Sequence, residues 1–432
     1  MAPRVPPVWR ARICAAIFAV AVLNIAVRGL RVTGSVDAGT FYGGARFALT
    51  GRNPYDRAAV AAMVREVSLR TGKPLPRPNV FAVPPSGALL LAPVAVLPPD
   101  IALTTPALNL LHTAYAVGLI VLLWRLAGPR FSLEARLLAG SLALFLPAVM
   151  KTILGQQIGL AALFWLAAGL LLTRSGRWLL AGVCLALALG KTTLTIWFLG
   201  ALLLRGAWRP VLAAALIFAA VNAAMILPAG PSEVLAAARA ELALVSGPNT
   251  QNDIMGPNPV VDYGITNARV AFAKALGNRR SLVEAVNLTY GVLISATVAV
   301  LIWRRRRPSG ELTWSELAAI GAVAMTAPYR RYYDVVALSF GVFALWDSRL
   351  RRPGAAPPHW WAMAVALYAF GFACSGVRWS FPFNLVAAAT GLGNTQYLSS
   401  FAGVAFALSA IWALWREPAD APASASGAAS AP

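Results

Sequence analysis

Apolar runs follow one another along this chain with little polar sequence between them, and most of them end in arginine. Read against the roughly 20 residues that a bilayer-crossing helix needs, they place helices near 11–28, 101–125, 136–150, 157–173, 178–190, 192–204, 209–228, 286–303, 314–327, 335–347, 359–376 and 398–415. Of the 432 residues 59% are hydrophobic and 12% charged, against roughly 25% charged in a water-soluble domain. A soluble core of this size would break into domains, yet no polar linker interrupts the first 415 residues. The sequence therefore predicts an all-α polytopic membrane protein of about twelve transmembrane helices, one embedded unit over 1–417. The Ala/Ser/Pro-rich tail, 418–432, is expected to be disordered.

The formal net charge of +21 does not point to nucleic acid, because no basic stripe with interleaved aromatics lies outside the apolar runs. Only four of the 37 basic residues are lysine. The arginines mark topology instead: Arg4, Arg10 and Arg12, Arg125–Arg130, Arg174–Arg177, Arg205–Arg209, Arg304–Arg307 and Arg349–Arg352 all fall on one side if the N-terminus is cytoplasmic. Both termini then lie inside, and the first helix reads as uncleaved. Two long loops, 31–100 and 228–285, lie outside. Cys14, Cys184 and Cys374 sit in apolar helices and read as small buried hydrophobes. His112 and His359 are isolated, so no histidine metal site is available.

Chemistry is sought where polar residues interrupt apolar sequence. Asp37, the first acid of the chain, follows the first helix and precedes a helical stretch from Ala38 to Leu49. It is suited equally to an N-cap and to a base placed where a membrane-bound donor meets an aqueous acceptor. Gly51–Asp56 reads as a turn, and the run from Phe81 through Pro84-Pro85 to Pro93 is too short to span, so it is re-entrant or interfacial. The pair 178–190 and 192–204, hinged at Gly190-Lys191, reads as two short helices meeting below the membrane surface. Such a break is tolerated only where backbone lines an enclosed or wet cavity. Lys191 at that break reads as functional, with snorkelling as the bland alternative. Lys151 and Gln156 place an ammonium and an amide at the same outer edge. In Tyr329-Arg330-Arg331-Tyr332-Tyr333-Asp334, two arginines stand against the positive-inside trend and match a phosphate's geometry. The tyrosines stack on sugar or sit in the interfacial belt, and Asp334 is a ready ion-pair partner for Arg330 or Arg331.

The order of these motifs resembles glycosyltransferase family 87: Asp37, Phe41-Tyr42, Ala45, Leu49, Gly51 and Pro54-Tyr55; Pro84-Pro85 and Leu91-Ala92-Pro93; Gly155-Gln156; Ala181-Gly182 and Lys191; Pro328-Tyr329 and Tyr333-Asp334. The resemblance covers roughly residues 11 to 350. This sequence departs from it at Val83, where many members carry an aromatic, and at Thr192, where proline is common. The resemblance implies a GT-C-like helical bundle in a bacterial plasma (inner) membrane, with its site facing outward. It implies an inverting transfer of a sugar, mannose in the family, from a polyprenyl-phosphate donor to a lipid or glycan acceptor. Asp37 is then the general base, and Lys191, Arg330 and Arg331 receive the donor phosphate. Tyr42, Lys151, Gln156, Tyr329, Tyr333 and Asp334 line the substrate cavity. A phosphomonoester leaving group requires no metal, so neither metal nor cofactor is expected. The competing class is a transporter or lipid flippase for a phosphate-bearing lipid or glycan, which shares intramembrane lysines and broken helices. It should show a repeat between halves, and none is evident between 1–210 and 211–432.

Overall fold

The computed structural model describes residues 7–30, 36–71, 81, 83–97, 101–246, 268–277, 279–305, 311–327, 332–351, 357–373 and 395–417. Among these residues the secondary structure is helical throughout, with no strand. Among the described residues five helical runs are long and apolar enough to cross a membrane: Val8–Leu30, Thr104–Arg130, Trp178–Leu204, Trp208–Ala229 and Arg280–Arg304. A sixth is a broken pair, α6 (Leu133–Leu144) and α7 (Pro147–Leu154), which meet at 55°. The sequence predicts one helix over 136–150 here, and the structure breaks it in two. Pro147 starts α7 and has no N–H to continue the preceding ladder, so the break falls just before it.

Two ends of the bundle are set by their polar contacts. At one end gather the C-termini of α5 (Ile101–Ala127), α8 (Gly159–Arg174), α10 (Thr192–Leu204), α14 (Arg280–Arg304), α16 (Leu338–Arg351) and α18 (Thr395–Arg416), with the start of α15 (Trp314–Thr326). Arg174 donates to the Leu126 carbonyl at 3.0 Å and pairs with Glu311 at 3.2 Å. Arg205 pairs with Glu316, both side chains fully buried. Glu417 accepts from Ser315 and from Arg351 at 3.3 Å, while Arg305 donates to the Leu414 and Glu417 carbonyls. This is the basic end. α1 (Pro7–Leu30) starts there, since Phe18 lies 4.9 Å from Trp124, and it finishes at the far end, where Asn109 donates to the Gly29 carbonyl. The described chain thus starts and stops at the same end.

α15 is buried along its whole length, as a helix apolar on every side must be. A capping box starts it: the Thr313 hydroxyl accepts from the Glu316 N–H, and the Glu316 carboxylate accepts from the Thr313 N–H at 2.8 Å. The outer helices α1, α11 (Trp208–Ile226), α14 and α17 (Pro358–Ala373) turn large apolar side chains outward, among them Leu23, Leu216, Leu293 and Val365. An apolar belt of that extent marks a surface that meets lipid.

The run Trp178–Leu204 is not one rod. A straight helix of that length would hold its ends about 40 Å apart, and the four residue steps from Leu204 to Trp208 reach at most about 15 Å. Yet Trp178, Trp208 and Arg209 line one apolar depression. The chain therefore rises through α9 (Trp178–Ala188), turns at Leu189–Lys191 and descends through α10. The turn lies where the sequence placed the hinge, and Lys191 at φ −119°, ψ 65° breaks the helix. The Thr192 hydroxyl donates to the Leu189 carbonyl at 2.6 Å and the Thr195 hydroxyl to the Ala188 carbonyl at 3.1 Å, covering acceptors that the break frees.

The buried Arg205–Glu316 pair supports a stability test. Glu316→Ala should destabilise the protein by about 3–5 kcal/mol, because it leaves a guanidinium stranded in an apolar core. Arg205→Met with Glu316→Leu should recover most of that loss, less the roughly 1 kcal/mol held by the cap. Thermal unfolding of the detergent-solubilised protein measures both.

Candidate functional site

Among the described residues, the far end carries Lys151, Gln156, Lys191 and the helix that bears Asp37. Its frame is a short interrupted piece, the 3-10 segment Pro85–Leu91 followed by α4 (Ala92–Ala95). Backbone that leaves helical geometry inside an apolar bundle needs other partners, and side chains supply them. Tyr55 donates to the Val83 carbonyl at 2.8 Å, and Tyr115 of α5 to the Leu90 carbonyl at 2.9 Å. Asn222 of α11 accepts from the Ser86 N–H and donates to the Ser86 hydroxyl, both at 3.0 Å. Arg46 donates to the Ala95 and Leu97 carbonyls at 3.1 and 2.7 Å, and Tyr42 to Leu97 at 3.2 Å.

Two elements that carry candidate chemistry pack on this segment. One is α2 (Val36–Leu49), with Asp37 in its first turn. Adjacent Gly43 and Gly44 let α2 lie against its neighbours: a Cβ on Gly44 would come within 2.3 Å of the Phe81 ring, and one on Gly43 within 2.7 Å of Val60. α2 ends at Gly51, whose positive φ of 71° closes the turn expected there. The Asp56 carboxylate then accepts from the Ala59 N–H at 2.9 Å, capping α3 (Arg57–Thr71). The other element is the Leu189–Lys191 turn, where Lys191 is only 7% exposed.

Lys151 is half-buried on α7, which packs on the 3-10 segment Tyr332–Ala337. Gln156 follows α7 fully buried and in left-handed backbone, φ 51°, a conformation strained for a residue other than glycine. Its amide donates to Asn109 at 2.9 Å. Tyr333 and Asp334 lie in the Tyr332–Ala337 segment, and for them, as for Asp37, the backbone alone is described. Tyr329, Arg330 and Arg331 lie outside the described residues, as do Cys374 and the tail 418–432. Among the described residues no group of three or more His, Cys, Asp or Glu is placed to hold a metal.

Sequence reasoning missed the supporting polar residues. Asn109 and His112 on α5 and Asn222 on α11 each stand in an apolar helix, which is the signal that could have found them. It also missed three helices of the far end: α3, α12 (Pro231–Ser246) and α13 (Ala268–Ala275). Glu241 on α12 is buried with one carboxylate oxygen lacking a partner. Burial pushes its carboxyl above the usual carboxylate range, partly opposed by Arg57.

The helical bundle, its lipid-facing belt and an interrupted, polar far end define a membrane protein that brings a lysine turn and an acid-bearing helix onto one frame. The sequence profile of glycosyltransferase family 87 matches residues 81–328, more than half of the chain, and the protein belongs to that family. It is a membrane glycosyltransferase, a class that acts on a sugar donor and an acceptor. Among curated proteins no individual relative matches.

A raised carboxyl pKa means that the folded protein holds the proton more tightly than the unfolded chain. The stability this gives is complete below the unfolded value of about 4.3 and is lost as pH rises through the folded value. Glu241→Gln should therefore raise the melting temperature at pH 7 and change it little below about pH 4, in unfolding curves taken across that range.

Proposed function

We propose that the protein transfers a sugar, mannose by the family resemblance, from a polyprenyl-phosphate donor to a lipid or glycan acceptor at the outer face of a bacterial plasma (inner) membrane. The reading includes a GT-C-like arrangement of about twelve passes over 1–417. The basic end is cytoplasmic and the far end, with 31–100 and 228–285, is extracytoplasmic. One observation carries it: the helix that bears Asp37 and the turn that bears Lys191 pack on the same short segment, Pro85–Leu91. Family membership supplies the reaction class.

The chemistry assigns roles by charge. An acceptor hydroxyl attacks the anomeric carbon while the bond from that carbon to the phosphate oxygen breaks, inverting the configuration. The Asp37 carboxylate takes the hydroxyl proton, and the lipid monophosphate leaves carrying the bonding pair. Negative charge develops on the departing phosphate, and fixed cations stabilise it. Lys191 is the cation on the turn that packs on the frame, and Arg330 and Arg331 complete the phosphate site. Tyr42, Lys151, Gln156, Tyr329, Tyr333 and Asp334 shape the cavity around sugar and acceptor. Lys191 is buried at a helix break, and an ionisable side chain inside an apolar bundle marks a functional site by default.

The test is transfer of radiolabel from polyprenyl-phosphate-mannose to lipid-extractable product by the purified protein. Asp37→Asn should lower turnover by about 10²–10⁴-fold, the usual contribution of a placed base, at unchanged donor binding and melting temperature. Lys191→Gln should weaken donor binding by about 10–100-fold, the loss of a charge-assisted bond to phosphate. Near-normal turnover of Asp37→Asn would move the base to Asp334 or to an acid of 228–285. Donor movement across vesicles without transfer would favour a flippase.

A further inference from the structure

The Leu189–Lys191 turn joins α9 and α10, which both run away from it. It rests on the Pro85–Leu91 segment through two glycines. A Cβ added to Gly87 would lie 2.9 Å from the Gly190 carbonyl oxygen, and one added to Gly190 would lie 2.9 Å from the Gly87 Cα. In both cases the obstacle is backbone, which cannot swing aside as a side chain does. The segment beneath is pinned on either side of the contact. Asn222 holds Ser86 by its N–H and its hydroxyl, and its amide also donates to the Phe218 carbonyl at 2.7 Å, which orients it on α11. Tyr115 holds the Leu90 carbonyl at 2.9 Å.

We propose that the Gly87–Gly190 backbone contact sets the depth at which the Lys191 ammonium meets the donor phosphate, with Gly87, Ser86 and Asn222 as positioning residues for lipid-phosphate recognition. The inference rests on the phosphate role given to Lys191 above. Gly87→Ala separates the two turns and withdraws the ammonium, whereas Ser86→Ala removes one of the two bonds to Asn222 and loosens the segment. Neither change alters a group that touches the sugar.

The experiment measures equilibrium binding of polyprenyl-phosphate-mannose, and of polyprenyl monophosphate without a sugar, to the purified full-length protein in detergent. Gly87→Ala should weaken both by about tenfold, the scale on which a misplacement of about an ångström acts. In a Lys191→Gln background the same substitution should add less than about twofold, because partners in one interaction are not additive. Glu316→Ala, which destabilises the opposite end, serves as the stability control and should leave both affinities within about twofold. Full additivity of Gly87→Ala with Lys191→Gln would overturn the inference. So would a loss confined to the sugar-bearing lipid, an unchanged affinity, or an equal loss in Glu316→Ala. Wild-type affinity for both lipids in Lys191→Gln would remove the phosphate role first and the inference with it. If Gly87→Ala does not fold, Ser86→Ala is read in the same way, with an expected loss of about threefold.

Discussion

Pro85–Leu91 leaves α-helical geometry within an apolar assembly, and the far end depends on how its backbone is satisfied. Water is scarce in such surroundings and an unmet carbonyl or N–H is expensive there. The chain answers with side chains drawn from widely separated places: Tyr55 from the turn after α2, Tyr115 from α5 and Asn222 from α11. Each bond is ordinary in length. Their joint effect is to fix one short segment against three elements, so that it becomes a floor on which α2 and the Lys191 turn both rest.

The basic end solves a different problem with different chemistry. Arginines crowd there because the short loops carry them, and charge of one sign would repel. Glu311, Glu316, Asp347 and Glu417 are spaced among them, and the pairs tie α5, α8, α10, α14, α15, α16 and α18 together. The Arg205–Glu316 pair is fully buried and shares its carboxylate with the cap of α15, so one acid both starts the central helix and neutralises a guanidinium. Rigidity at this end leaves the far end free to be built from short, interrupted pieces.

Those interruptions follow one logic. The break before Pro147, the turn at Leu189–Lys191 and the segment at Pro85–Leu91 each abandon helical hydrogen bonds near polar side chains. Local carbonyls find hydroxyls from Thr192 and Thr195, and Asn109 joins the last turn of α1 to Gln156. Polar side chains can be gathered inside a membrane protein where the backbone has been prepared in this way.

The sequence by itself determined the helices and much of their arrangement along the chain. Apolar length gave α1, α5, α11 and α14, the Gly190-Lys191 interruption gave the break between α9 and α10, and the paired prolines gave the start of the short piece at Pro85. These were legible because each is a local consequence of apolar run length or of proline and glycine geometry. The tertiary structure alone decided that α2 and the Lys191 turn share one floor, that Asn222 reaches Ser86 across 136 positions, and that Arg205 meets Glu316 across 111. It also decided the 55° angle between α6 and α7, which one uninterrupted apolar run had concealed. Such pairings depend on how helices pack side by side, and in a chain where nearly every helix is apolar on several faces, periodicity does not say which face meets which neighbour.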